Sequence, residues 1–183
     1  MILNKTYRFN LIKTALVLFV VFFCLTKKVK AQEVNYKAYS LYVYNFMKYI
    51  EWPENNSQGD FIILVLGKSG IEKELRNMAL QKKLKGRNII VKSITTIDEI
   101  KDCQLIYLSE QKSSFIKEIN ARFKNKDFLI VGEKDGLAYK GASLSFATLD
   151  NDELSFDINK KVIAQHNLKI SESLIKLGTV VVE

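Results

Sequence analysis

Three stretches of this sequence are too short for helices and too apolar for loops: FIILVLG (61–67), QLIYLS (104–109) and DFLIVGE (127–133). A strand with one wet face alternates polar and apolar side chains, whereas a strand that is apolar throughout is covered on both faces. Such strands require helices on both sides of a sheet. The segments around them supply these helices. Tyr39, Tyr42, Val43, Phe46, Tyr49 and Ile50 recur at helical spacing, and Trp52-Pro53 stops that run, because a residue before proline is pushed out of the α region. Ser69-Gly70 opens a second helix to about Leu80, NIIVKSI (88–94) is a further strand, and a short helical turn is expected over 97–101. Phe115, Ile119 and Phe123 are in register on a helix over 113–123.

After residue 133 the rhythm changes. SLSFATL (143–149) and ELSFDIN (153–159) alternate polar and apolar residues around Asp150-Asn151-Asp152, as in an antiparallel hairpin. Helices over 160–166 and 171–178 close the chain, with Asn159 and Ser171 as caps. The expected fold is α/β: a three-layer sandwich with a mostly parallel central sheet and a C-terminal antiparallel hairpin.

The first 31 residues read differently. Lys5, Arg8 and Lys13 precede an apolar run, Ala15–Leu25, too short to span a bilayer, and Val29-Lys30-Ala31 offers a cut before Gln32. Residues 1–31 are therefore expected to be a cleaved signal peptide and 32–183 a single exported domain. The alternative is an uncleaved anchor, since Lys27, Lys28 and Lys30 crowd the cut; Phe23 before Cys24 argues against a lipoprotein. The whole chain has 28 basic and 20 acidic residues, but six of the basic ones lie in 1–31, so residues 32–183 are almost balanced. The high isoelectric point belongs to the leader and gives no nucleic-acid footprint. Cys103 is the one cysteine after the cut, which excludes an internal disulfide, and the apolar strand beside it marks it as a buried small side chain.

Catalytic material is scarce. The single histidine, His166, stands near the end of a late helix, where it serves the helix terminus better than it serves as a base. One histidine and one cysteine cannot fill a metal site by themselves, and no Gly-x-Ser-x-Gly elbow occurs. Leu66-Gly67-Lys68-Ser69-Gly70 resembles a phosphate loop but lacks its first glycine, position 62 being isoleucine, so it reads as a strand-to-helix turn. Glu133, Asp135 and Asp152 are carboxylates whose spacing specifies no acid–base work. No catalytic, cofactor-binding or metal-binding residue is assigned, and the expectation is a binding protein, not an enzyme. Tyr36 and Tyr44 fall off the buried stripe of the first helix. The loop of Glu133, Asp135 and Gly136 follows the fourth strand, at a carboxyl end where α/β sheets gather ligands. These five residues are the candidate partner-binding set.

Several segments, in order, are Tyr44–Pro53 (YNFMKYIEWP), Val65–Ser69 (VLGKS), Cys103–Ser109 (CQLIYLS), Val131–Glu133 with Gly136 and Gly141, Leu154–Asn159 (LSFDIN) and Leu168–Ser171 (LKIS). Together they resemble the YfiR family of periplasmic proteins over nearly all of 32–183. The resemblance implies an α/β regulator without enzymatic activity or cofactor. It would hold down a membrane-bound diguanylate cyclase, or serve a histidine kinase, through the extracytoplasmic domain of that partner, with a tendency to form homodimers. The runner-up is a periplasmic small-molecule binder using the loop after the fourth strand. Two departures stand out: the disulfides of the best-known member cannot form here internally, and Ala142 stands where a second glycine often follows Gly141.

Overall fold

The structure, a computed structural model, describes residues 34–56, 58–149 and 153–183; the expected cut at Ala31–Gln32 and the Asp150–Asp152 turn lie outside them. Helix α1 (Tyr36–Tyr49) begins at Asn35, whose side-chain oxygen accepts the Ala38 N–H at 3.1 Å. It ends before the Trp52-Pro53 stop, because Ile50–Glu51 (β1) turn extended and pair antiparallel with Lys169–Ile170 late in the chain. Then come β2 (Phe61–Leu66), α2 (Ile71–Gln81), β3 (Ile89–Ile94), β4 (Leu105–Leu108), α3 (Ile116–Arg122), β5 (Leu129–Gly132), α4 (Leu137–Lys140) and β6 (Leu144–Thr148). β7 (Leu154–Asn159), α5 (Lys160–Gln165), β8 (Lys169–Ile170), α6 (Glu172–Ile175) and β9 (Thr179–Val182) complete the order.

Seven strands form the main sheet, in the order β3-β2-β4-β5-β6-β7-β9. β3, β2, β4, β5 and β6 run parallel, β7 returns antiparallel to β6, and β9 lies parallel to β7. This is the mostly parallel sheet with a C-terminal antiparallel hairpin that the buried runs and the late alternation require.

Alternate side chains of the buried strands enter two separate cores. Ile63, Val65, Leu105, Tyr107, Leu129 and Val131 face one layer, which α1, α2 and the C-terminal helices cover with Val43, Phe46, Leu75, Ile163 and Leu174. Leu64, Leu66, Ile106, Leu108 and Ile130 face the other, covered by Ile97, Ile116, Ile119 and Leu137. Both faces of β2, β4 and β5 are covered by apolar side chains, which is why their sequences read apolar but for the Tyr107 hydroxyl.

Two segments differ from their sequence patterns. The 113–123 helix is α-helical only from Ile116, and Glu110–Phe115 form a 3₁₀ run, the tighter coil common at a helix entrance. The 171–178 helix covers only Glu172–Ile175. Beyond Gly178, which lies against the Phe156 ring, the β-branched run Thr179–Val182 becomes an edge strand instead.

Candidate functional site

The chain leaves β2 toward β3 on one side and returns to β4 on the other, so the sheet has its topological switch point between β2 and β4. Loops leaving the carboxyl ends of such strands enclose a crevice where α/β proteins place their sites. Here the loops after β2, β4 and β5 are joined by one carboxylate. Ser69 Oγ donates to Glu133 Oε1 at 2.6 Å, and the Glu110 backbone N–H donates to Glu133 Oε2 at 2.8 Å. Ser69 Oγ also accepts the Ile71 N–H at 3.2 Å, so the same hydroxyl starts α2. The Gly67–Gly70 stretch is thus a strand-to-helix turn, and its serine faces a carboxylate.

α1 brings tyrosines to this point. The Tyr36 ring lies so close to Gly70 that a Cβ there would overlap it. Burial raises the Tyr36 hydroxyl pKa first, and the facing Glu133 carboxylate adds to the rise. Tyr39 meets Tyr36 edge-on at 6.0 Å and stacks on Phe146 at 3.8 Å. Its pKa is also raised, by burial and then by the negative charge of Glu133. Beneath them Tyr107 is fully buried, and burial lifts its pKa well above the usual phenol value. The Tyr107 hydroxyl and Ser109 Oγ have no hydrogen-bond partner among the described residues. Ser109 Oγ lies against Gly67, whose φ of +88° and lack of Cβ leave room for it.

The structure therefore brings together Tyr36 and Glu133 from the candidate set, with Asp135 exposed at the rim and close enough to Tyr39 to act on it electrostatically. Gly136 takes the left-handed conformation, φ +68°, that starts α4. Tyr44 is elsewhere. It is half-buried, donates its hydroxyl to the Lys83 carbonyl at 3.1 Å, and has the Lys82 ammonium 4.9 Å from its ring centre. Sequence reasoning missed Ser69, Glu110 and Tyr107 as members of the cluster. Ser69 was visible as a helix opener; its bond to Glu133 spans 64 positions and has no local signal.

The remaining singled-out residues are structural. His166 caps the end of α5 with its ring buried on Phe128 at 4.6 Å, its Nδ1 2.7 Å from the Lys126 carbonyl and its Nε2 3.3 Å from Asn120 Oδ1. Cys103 is buried, and burial pushes its thiol pKa up to about 12. Asn159 accepts the Val162 N–H at 2.9 Å as the α5 cap and donates to the Ala138 carbonyl at 2.7 Å. Ser171 caps α6 by accepting the Leu174 N–H. Among the described residues no group of three or more His, Cys, Asp and Glu is placed to hold a metal, and no helix is long and apolar enough to cross a membrane.

Residues 36–179 match a family model described as YfiR/HmsC-like. No curated protein matches the chain. Among solved structures, the crystal structure of an ABC domain in complex with L-Trp, from Streptococcus pneumonia, matches at a TM-score of 0.44 and 14% identity, over 66% of this chain and 55% of that one. The chain spans about half the length of that structure, and a likeness of this size carries no argument.

Proposed function

The chain belongs to the YfiR/HmsC-like family, and on that footing we propose that it is a periplasmic, non-enzymatic regulator that binds the extracytoplasmic domain of a membrane signalling protein, a diguanylate cyclase or a histidine kinase. The observation that carries the reading is the Glu133 junction. One carboxylate ties the loops after β2, β4 and β5 and faces the first residue of α1, so four segments distant in sequence form one surface. A rigid surface of aromatic and loop groups suits partner binding, because little conformational freedom is lost on docking. Tyr36, Asp135 and Gly136 lie on it as contact residues, with Glu133 holding it together. The expected leader, residues 1–31, supplies the export route.

The test is recovery from the envelope. A tagged full chain expressed in its own cells should co-purify a membrane protein carrying a cyclase or kinase domain, and deletion of the chain should raise that protein's output. Recovery of the chain alone, with no change of signalling on deletion, would overturn the reading.

A second reading, small-molecule binding, is favoured by one observation. A cavity of about 290 Å³ opens beside the carboxyl ends of β2 and β3, lined by Leu66, Ile97, Lys112, Phe115 and Arg122 among others. It does not use the loop after β5 that the sequence suggested.

A further inference from the structure

Lys85 stands in a conformation that its side chain does not favour. Leu84 and Arg87 exchange both backbone hydrogen bonds at 3.0 Å, closing a two-residue hairpin loop over Lys85 and Gly86. Both loop residues have positive φ, +50° and +84°, the signature of a type I′ turn. Such turns select Asn-Gly, Asp-Gly or Gly-Gly, since asparagine, aspartate and glycine tolerate the left-handed region. The other non-glycine residues with positive φ among the described residues, Asn125 and Asn167, obey that rule. Lys85 does not. An outlier of this kind, held in place by its surroundings, is where a functional demand on the side chain is to be sought.

The surroundings do hold it. Leu84 is buried on the apolar core. The Arg87 guanidinium donates to the carbonyls of Asn56, Gln58, Gly59 and Asp60 at 2.7–3.1 Å and lies over the Phe61 ring, so its charge is spent within the fold. The segment Lys82–Arg87 (KKLKGR) contains no acidic residue. Lys82, Lys83 and Lys85 make no ion pair among the described residues, and Tyr44 sits against the first two. The exposed Lys83 and Lys85, with Lys82 half-buried and its ammonium over the Tyr44 ring, thus gather cations on and just before a turn fixed at both ends.

We infer that the Lys82–Arg87 turn, with Tyr44 beside it, is a docking element for an acidic segment of the partner protein. Charge complementarity chooses the occupant: unpaired cations on a preorganised turn attract and orient a run of Asp and Glu, and a fixed platform loses little entropy in doing so. The inference rests on the proposed regulatory role and adds to it a second contact and its chemistry.

The substitution Lys85→Asn separates turn stability from binding, because asparagine is the better turn residue. The full chain carrying Lys85→Asn should melt no lower than wild type, yet recover the co-purifying membrane protein about fivefold less well at physiological salt, as should Lys82→Gln/Lys83→Gln. A photo-crosslinker at position 85 should map to a stretch of that protein rich in Asp and Glu. If the variants recover the same protein as well as wild type does, the inference fails while the regulatory role stands. If wild type recovers no membrane protein, the regulatory role fails and takes this contact with it. Should the turn instead hold the chain on phosphatidylglycerol vesicles, with loss on Lys85→Asn and no crosslink to protein, the turn serves a lipid surface and the inference is wrong.

Discussion

Ser69 and Glu133, 64 positions apart, meet through a 2.6 Å hydrogen bond that spans the carboxyl end of β4 and joins the loop after β2 to the loop after β5. The other oxygen of the same carboxylate holds the Glu110 N–H at the start of the loop after β4. Hydrogen bonds to an ionised group are worth about 1.5–3 kcal/mol when a partner is removed. Glu133→Ala is therefore expected to lower stability by roughly 1.5–3 kcal/mol, and Glu133→Gln by less, since an amide oxygen still accepts one donor. Urea unfolding of the three proteins measures this; equal midpoints would show that the junction holds nothing together.

Asn159 is more than a cap. Its oxygen accepts the Val162 N–H while its nitrogen donates to the Ala138 carbonyl, and the residue is only 4% exposed. Asn159→Ala loses the cap, worth about 1 kcal/mol, and the bond to the Ala138 carbonyl, worth about 0.5–1.5 kcal/mol because that carbonyl keeps the Gly141 N–H. A total of about 1.5–2.5 kcal/mol by chemical denaturation is the expected result. Asn159→Ser, which keeps an accepting oxygen for the cap and gives up the bond to Ala138, should fall between wild type and alanine.

His166 makes stability depend on pH. Burial lowers its pKa below the ordinary value of 6.5, and the Lys126 carbonyl and the Asp127 charge oppose that only in part. The unfolded chain then takes up a proton at a higher pH than the folded chain, so this contribution is complete above about 6.5 and is lost as pH falls toward the lowered folded value. Melting temperatures should drop through that window in wild type and lose the His166 part of the slope in His166→Gln.

Cys103 should be unreactive in the folded protein. With its thiol pKa pushed up to about 12 and its side chain buried, it presents almost no thiolate at mildly alkaline pH. Iodoacetamide should label it only after unfolding in guanidinium; rapid labelling of the native chain would contradict the burial.

The layers were legible because burial writes itself directly into residue type. FIILVL and LIYL could be nothing but strands covered twice, and the Leu154–Asn159 alternation marked a strand with unlike faces. The short ladder between Ile50–Glu51 and Lys169–Ile170 was not legible, since two residues carry no period and their pairing is set by where α1 and α5 end. Thr179–Val182 was assigned to no element, because a strand there depends on pairing with β7 and four residues at a chain end carry little pattern of their own. The site divides in the same way. Glu133 and Tyr36 were visible as a carboxylate at a strand end and an aromatic off the stripe. That they face each other follows from the sheet order, which no local pattern encodes. Tyr44, off the same stripe, went instead to the Lys83 carbonyl, because the turn after α2 folds back onto it.

The proposed function has this chain bind the extracytoplasmic domain of a membrane signalling protein through the surface that Glu133 assembles. Calorimetric titration of residues 32–183 into that domain, taken from the co-purifying protein, tests it most directly, with wild type beside Asp135→Lys. Asp135 is exposed, so the substitution should leave the melting temperature unchanged. Saturable binding by wild type is expected, weakened by Asp135→Lys by about 1–2 kcal/mol, a factor of about 5–30. Absence of binding by wild type, or equal affinity of the two proteins, would contradict it.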